Sequence, residues 1–200
     1  MDFEGVMREI EELNKRGEYW CVPRDVGEFL KELVIKLDAK NVVEIGTSLG
    51  YSSLWMADGM RELDERGGGV DGDESFGIER KVYTVESHAE RFLLGEGFFA
   101  RSGMNKYIVH IKSHAPEVFE EFDFSSGVDL GFVDAIKKES IVYFKEMKKL
   151  VRKGGVIVVD NVTTHWGEME RFIEYLEDEG ERFTIRRDLG SGPVVVWVGE

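Results

Sequence analysis

The feature that most constrains this 200-residue chain is the stretch from Asn41 to Ala57, which reads NVVEIGTSLGYSSLWMA. A short apolar run meets Gly46, three residues separate Gly46 from Gly50, and apolar residues then recur at helical spacing. This pattern predicts a strand, a tight glycine turn and a helix. In open α/β sheets, ligands bind beyond the carboxyl end of such a strand, where glycines let backbone N–H groups approach and the helix N-terminus is partly positive. The stretch therefore predicts a ligand site at this turn.

The rest of the chain predicts strands that alternate with helices. Apolar residues at helical spacing indicate two amphipathic helices within residues 1–37. The further predicted strands are 81–86, 107–111, 128–133 and 156–159, and the further predicted helices are 88–103, 117–122, 140–151 and 166–176. Such alternation implies right-handed crossovers and a mostly parallel sheet that is covered on both faces.

The C-terminal part predicts a different connection. The segments FTIRR (183–187) and PVVVWV (193–198) are separated only by DLGSG, which is too short for a parallel crossover. We therefore expect an antiparallel hairpin at one edge of a seven-stranded sheet. Residues 66–79 are rich in glycine and acid, and this composition predicts a surface loop inserted into the α/β pattern.

Length and composition predict one soluble domain spanning residues 1–200. No apolar run approaches the ~18 residues that a membrane span needs, and the acidic N-terminus does not resemble a secretory signal. We therefore expect a cytoplasmic protein. The single cysteine, Cys21, cannot form an internal disulfide, and no Cys/His cluster predicts a zinc site. The net charge of −14 argues against a nucleic-acid substrate, because nucleic-acid binders usually carry a basic patch.

Polar residues occur at the ends of four predicted parallel strands. They are Glu44, Glu86, Asp134 and the pair Asp160–Asn161. Any one of these acids could simply cap a helix. Because the carboxyl ends of parallel strands share one edge of a sheet, four together favour a functional site there.

Glu86 occupies the position of the acid that binds ribose hydroxyl groups in nucleotide-binding α/β folds. The interval from Gly46 exceeds the ~20 residues usual in such folds, and the predicted loop at 66–79 accounts for the excess. The turn itself is Gly-x-x-x-Gly instead of Gly-x-Gly-x-x-Gly. This difference weakens a dinucleotide-binding interpretation.

Asp134, Asp160 and Asn161 offer three oxygen ligands without a histidine or thiolate among them. Mg²⁺ prefers such a set, since it binds one or two carboxylates and retains water or substrate oxygens. Lys137 follows Asp134 by three residues and could reach the same place. Spacing alone leaves open whether Lys137 is functional or a solvated lysine.

Four motifs make the chain similar to a known family, the class I S-adenosylmethionine (SAM)-dependent, metal-dependent O-methyltransferases of the catechol and caffeoyl-CoA group. The motifs are VEIGTSLGYSS (43–53), VYTVES (82–87), VDAIK (133–137) and GGVIVVDN (154–161), in the family's order. The resemblance extends from about Val22 to the C-terminus. It implies a Rossmann-like SAM-methyltransferase fold.

The resemblance also implies roles for individual residues. The implied cofactor contacts are Val22 (through its backbone), Glu44, Gly46, Gly50 and Ser52 near the methionine part, Glu86 at the ribose, His114 and Ala115 at the adenine, and Asp134. The implied Mg²⁺ ligands are Asp134, Asp160 and Asn161. Lys137 is implied as the general base, so the resemblance favours a functional role for this lysine.

The chemistry implied by this resemblance is methyl transfer from SAM to a hydroxyl group of a small catechol-like or vicinal-oxygen acceptor. Mg²⁺ would orient the acceptor and activate its hydroxyl group. Two alternatives remain open: a hydroxylated tRNA uridine as the acceptor, or a nucleotide-binding oxidoreductase or non-catalytic domain. Relatives commonly form homodimers, and the N-terminal amphipathic helix is a candidate contact.

Several positions depart from the family pattern. Ser140 stands where many relatives have tyrosine, although Tyr143 could replace its packing role. His165 and Trp166 could face the acceptor, but an exposed His165 at a helix start is slightly favoured. Tyr19 and Trp20 could cap the acceptor pocket, but such an aromatic pair beside a proline more often packs in a core.

Overall fold

The fold is organised around a seven-stranded sheet. The structure, a computed structural model, describes residues 2–66 and 79–199. Its strands are β1 (Asn41–Ile45), β2 (Lys81–Glu86), β3 (Ile108–Lys112), β4 (Val128–Val133), β5 (Val151–Val159), β6 (Phe183–Ile185) and β7 (Val194–Trp197). The spatial order is β3-β2-β1-β4-β5-β7-β6.

Strand directions confirm the predicted mixed sheet. Strands β1 to β5 are parallel, and β7 is antiparallel to both of its neighbours, β5 and β6. The C-terminal hairpin is thus confirmed, with β7 inside it and β6 at the edge. The strand order reverses between β1 and β4, which creates a crevice beyond their carboxyl ends.

Helices cover both faces of the sheet, as predicted. They are α1 (Phe3–Asn14), α2 (Arg24–Lys36), α3 (Tyr51–Arg66), α4 (Ala89–Ser102), α5 (Ser140–Leu150) and α6 (Trp166–Asp178). Neighbouring residues on a strand point to opposite faces; Val42 packs with the core of α1 to α4, and Val43 packs with the core of α5 and α6. No helix in the two described ranges combines the length and apolar character needed to cross a membrane.

The apolar face of α1, considered above as a dimer contact, is buried within its own chain. Val6, Met7 and Ile10 are all fully buried in the core that α1 shares with α2, α3 and α4. The helix begins at a favourable cap, since the Asp2 carboxylate accepts a hydrogen bond from the Gly5 backbone N–H at 2.9 Å. This face therefore stabilises the fold of the chain itself.

Some predicted boundaries were wrong. The segment 107–111 begins as a 3₁₀ turn over Asn105–Tyr107, and β3 starts at Ile108. The predicted turn at 154–155 lies inside β5, which already begins at Val151. There Gly154 adopts φ +79° in an irregularity of the pairing with β4. Residue 66 is helical, and the rest of the predicted loop, residues 67–78, lies outside the described residues.

Candidate functional site

A cavity of about 580 Å³ occupies the crevice beyond the carboxyl ends of the central strands. Its wall includes segments that follow β1, β2, β4 and β5, together with residues from the segment before α2. Of the residues predicted from sequence, those that line it are Gly46, Glu86, His114, Ala115, Asp134, Lys137 and Asn161. The topology thus brings together residues that are up to 115 positions apart in the chain.

The glycine turn forms one wall of this cavity, and its two glycines are sterically required. Gly46 has φ +103°, and a Cβ atom there would lie 2.1 Å from the backbone oxygen of Asp134. At Gly50, with φ +84°, a Cβ atom would lie 2.3 Å from the Phe99 ring. Both positions therefore combine a left-handed backbone with a close approach, which only glycine tolerates.

Glu86 connects the glycine turn to the start of α4. Its Oε2 accepts a hydrogen bond from the Ser48 N–H at 2.9 Å, and its Oε1 accepts one from the His88 N–H at 2.7 Å. The Ser48 hydroxyl in turn donates to the backbone oxygen of Tyr19. These bonds fix the turn, the helix and the segment before α2 relative to one another.

Four predicted cofactor contacts lie outside the cavity lining: Val22, Glu44, Gly50 and Ser52. Val22 stands between Cys21 and Pro23, which both line the cavity. Glu44 is fully buried and accepts hydrogen bonds from the hydroxyls of Ser52, Ser53 and Thr84. Its side chain therefore joins β1 to α3 and β2.

Burial dominates the electrostatics of Glu44. Desolvation raises the pKa of this carboxyl group to about 7, although the three hydroxyl donors oppose the shift. The three neutral donors therefore fix the Glu44 side chain in the core, next to the glycine turn.

The predicted metal ligands and the predicted base meet at the adjoining wall. Lys137 Nζ donates a hydrogen bond to Asp134 Oδ1 at 2.6 Å, and both side chains are mostly buried. Asp160 is 1% exposed and lies just behind the lining, and the Ser191 hydroxyl donates to its Oδ1. Its other oxygen, Oδ2, is buried without a hydrogen-bond partner among the described residues.

This arrangement fits a hard divalent cation. A buried carboxylate oxygen without a partner is unfavourable, and burial together with the nearby charge of Asp134 raises the pKa of Asp160 to about 7. A cation would satisfy Asp160 Oδ2 and offset the repulsion between the two acids. Asn161 adds an amide oxygen and has φ +66°, a strained conformation typical of functional sites.

Only two carboxylates contribute to this ligand set. Within residues 2–66 and 79–199, no group of three or more His, Cys, Asp or Glu side chains is arranged to hold a metal ion. A cation bound by Asp134 and Asp160 would therefore depend on Asn161 and on water or ligand oxygens, a coordination that suits Mg²⁺ better than Zn²⁺.

Three aromatic residues considered from sequence line the cavity, in different environments. Tyr19 is partly buried and packs against the core. Tyr143 is buried, and its hydroxyl donates to Glu139. Trp20 is 68% exposed, so its interpretation as a core residue was wrong. Ser140 is buried and packs against Met169.

The loop after β5 contributes His165. His165 lines the cavity while it also precedes the first residue of α6, and Trp166 lies outside the lining. Sequence reasoning missed Ser191 and Arg91. A signal for Arg91 was available, because it places a cation in the first turn of a predicted helix, where acids are preferred.

Comparisons with known proteins identify the family to which the chain belongs. The O-methyltransferase family matches residues 4–172. A caffeoyl-CoA O-methyltransferase of Populus kitakamiensis is 32% identical over 143 residues, covering 70% of this chain and 54% of that protein. A catechol O-methyltransferase of Mycobacterium tuberculosis is 28% identical over 169 residues, covering 84% and 67%. The chain thus spans about half to two thirds of the length of these relatives.

A solved structure shows the same fold. The O-methyltransferase from Bacillus cereus, solved in complex with S-adenosylhomocysteine (SAH), has a TM-score of 0.74 and 23% sequence identity. The match covers 96% of this chain and 90% of that one. The fold is therefore Rossmann-like, as in the methyltransferases of known structure.

Proposed function

The chain belongs to the O-methyltransferase family, and from this premise we propose that it transfers the methyl group of SAM to a hydroxyl group of a small acceptor with two adjacent oxygens, assisted by Mg²⁺. One observation carries this proposal. The paired Asp134 and Lys137, together with Asn161, line the same cavity as the glycine turn and Glu86, and the unpartnered Oδ2 of Asp160 lies just behind them.

Glu86 and the glycine turn are suited to hold the cofactor. A carboxylate has about four lone-pair positions, and backbone N–H groups use one on each Glu86 oxygen. The remaining positions can accept hydrogen bonds from two ribose hydroxyls. Gly46 lines the space assigned to the methionine part, and His114 and Ala115 border the space assigned to the adenine.

Asp134, Asp160 and Asn161 would hold the Mg²⁺ ion. When bound, the ion would orient the two acceptor oxygens and make the reacting hydroxyl more acidic. Asp134 also places the Lys137 amine at this wall through their 2.6 Å hydrogen bond.

The residues of the chain then account for the transfer. Lys137 acts as the general base, and its Nζ accepts the hydroxyl proton of the acceptor. The acceptor oxygen forms a bond to the methyl carbon, and the carbon–sulfur bond breaks with its electron pair moving to sulfur. The products are a methyl ether and SAH. Alignment of the two reactants in one cavity supplies much of the rate enhancement.

The decisive experiment is the Asp160→Ala exchange, assayed on catechol with SAM and Mg²⁺. We expect Mg²⁺-dependent turnover to fall at least 100-fold, because the exchange removes the unpartnered oxygen and one charge of the ion site. The SAH dissociation constant, measured by calorimetry, should change less than twofold. Asp178→Ala, an exchange at an exposed position of α6, is the matched control. Unchanged turnover in Asp160→Ala would remove the metal assignment.

A further inference from the structure

Arg91 is a half-buried cation that lines the cavity without a charged partner. Among the residues that the structure describes, its guanidinium has no hydrogen bond or ion pair. It lies over the Trp20 ring, 4.5 Å from the ring centroid. Other partly or fully buried guanidinium groups are paired: Arg80 with Asp38 and Asp64, and Arg152 with Asp129.

A shortage of acids does not explain the unpaired state of Arg91. The chain has 40 acidic and 26 basic residues. Glu86 lines the same cavity, and among the described residues no hydrogen bond or ion pair joins it to Arg91. Glu90 is exposed and forms no ion pair with Arg91 among the described contacts.

Helix stability does not explain the position either. Arg91 lies in the first turn of α4, which begins at Ala89. A cation there works against the helix dipole. Instead, the positive charge of Arg91 and the partial positive charge of the helix N-terminus lie at the same wall of the cavity. Their combined electrostatic potential attracts an anion.

Trp20 holds the arginine in place. The segment before α2 is fixed to the glycine turn because the Ser48 hydroxyl donates to the Tyr19 backbone oxygen. Trp20 follows with φ +50° and keeps its ring against the Arg91 guanidinium at the mouth of the cavity. A cation–π contact leaves the N–H donors of the guanidinium free.

From these contacts we propose that Arg91 binds an anionic group of the methyl acceptor, so that the preferred acceptors are vicinal diols that also carry a carboxylate or phosphate. This inference rests on the proposed methyl transfer. The planar guanidinium presents N–H donors in a fork that matches a carboxylate or phosphate in two hydrogen bonds. Of the other cations, Lys137 is already paired with Asp134.

The position at the mouth assigns this anion to the acceptor instead of the cofactor. The cofactor is assigned to the inner wall of the cavity, formed by Gly46, Glu86 and Ala115. Trp20 is 68% exposed, whereas Glu86 and Ala115 are each 6% exposed, so Trp20 and the guanidinium that it contacts lie on the open side of the cavity.

The test is calorimetric titration of the SAH-loaded protein, with Mg²⁺ present, by 3,4-dihydroxybenzoate and by its neutral methyl ester. The wild type should bind the acid about tenfold more tightly than the ester, the factor expected for a charge-assisted hydrogen-bonded pair. Arg91→Ala should remove this preference and leave the ester affinity unchanged. Arg91→Lys should restore part of it, and Arg8→Ala, at an exposed position of α1, should leave it intact.

Three results would each overturn the proposal. If Arg91→Ala lowered the affinities for the acid and the ester equally, Arg91 would have only a packing role. A loss of SAH affinity would assign the anion to the cofactor carboxylate. Equal binding of the acid and the ester by the wild type would show that Arg91 does not recognise a carboxylate.

Turnover assays separate this inference from the proposed function. If the proposed function fails, the wild type methylates neither compound, while the titration still reports whether Arg91 binds the carboxylate. If both hold, Arg91→Ala should raise the KM for the acid about tenfold and change its kcat less than twofold.

Discussion

Two charged residues near the cavity carry polar atoms without partners in the described part of the chain. They are Asp160, through Oδ2, and Arg91, through its guanidinium donors. Glu44, which precedes Gly46 by two residues, receives hydrogen bonds from three hydroxyls. Unsatisfied groups at a cavity are what a ligand can use, whereas satisfied groups maintain the fold. This difference separates the proposed ligand contacts from the structural acid.

At the residue scale, Lys137→Ala should lower kcat on a catechol by about 10²–10⁴-fold, the usual contribution of a general base. The SAH affinity should remain, and an added small primary amine should restore part of the rate. Lys138→Ala is the matched control, because this neighbouring lysine is exposed and lies outside the cavity lining. A fully active Lys137→Ala variant would exclude the lysine as the base.

Glu44 predicts a pH dependence of stability. Burial raises the pKa of its carboxyl group from 4.5 to about 7 in the folded protein. The folded state therefore retains a proton that the unfolded chain releases, and the free energy of unfolding decreases as the pH rises from about 4.5 to about 7. This contribution is at most about 3 kcal/mol.

Urea unfolding between pH 5.5 and 7.5 measures this dependence. In Glu44→Gln, the free energy of unfolding should decrease less over this pH range, because the amide does not titrate and the contribution of this one group is lost. The same exchange at Glu4, an exposed residue of α1, should leave the decrease unchanged. Identical pH profiles for the wild type and Glu44→Gln would contradict the assignment.

At the scale of elements, the glycine turn depends on contacts between β1, β4 and α4. Gly46 approaches the backbone of Asp134, which follows β4, and Gly50 approaches the Phe99 side chain of α4. Gly95 of α4 also packs closely, since a Cβ atom there would lie 3.1 Å from the His110 ring. The geometry of the turn is therefore set jointly by three elements.

Gly46→Ala should lower the free energy of unfolding by roughly 2–4 kcal/mol, because the residue combines an unfavourable φ with a clash against a backbone atom. The SAH affinity should fall more than tenfold, since the displaced carbonyl belongs to Asp134 at the cavity wall. Chemical unfolding and calorimetry measure the two effects. Wild-type values for both would contradict the role of the turn.

Gly97→Ala is a matched exchange with the opposite expected sign. Gly97 lies on the exposed face of α4, and a Cβ atom there would have no neighbour within 4 Å. Alanine should therefore raise the free energy of unfolding by about 0.5–1 kcal/mol through its higher helix propensity. A destabilised Gly97→Ala variant would show that α4 tolerates no change near the turn.

At the scale of the whole molecule, the sheet order determines which strand ends meet. Because β1 lies between β2 and β4, its glycine turn adjoins both Glu86 and Asp134. The next strand, β5, ends at Val159 and places Asp160 and Asn161 beside them. One reversal of strand order therefore places Gly46 and Glu86 beside Asp134, Lys137 and Asn161.

Ligand binding to this cavity should stabilise the whole fold. SAH at 100 times its dissociation constant adds about 2.7 kcal/mol to the free energy of unfolding, which should raise the Tm of a chain of this size by roughly 5–10 °C. The same concentration of NAD should leave Tm unchanged, because the turn lacks the Gly-x-Gly-x-x-Gly spacing. A comparable shift with NAD would contradict a methyltransferase cofactor site.

The sequence by itself determined the order of strands and helices, the glycine turn and the chemical types at the strand ends. These features follow from local rules: side-chain periodicity, the backbone freedom of glycine and the shortness of the DLGSG connection. Two of the boundaries that were wrong, near Tyr107 and Gly154, lie where a 3₁₀ turn and a strand irregularity interrupt the regular period.

Only the tertiary structure decided which of these side chains face the cavity. It placed Glu44 and Ser52 behind the glycine turn, and it left Arg91 unpaired beside Trp20. It also inserted β7 between β5 and β6. These outcomes depend on packing between residues far apart in the chain, because the competition for hydrogen-bond partners is decided by which distant side chains the fold brings together.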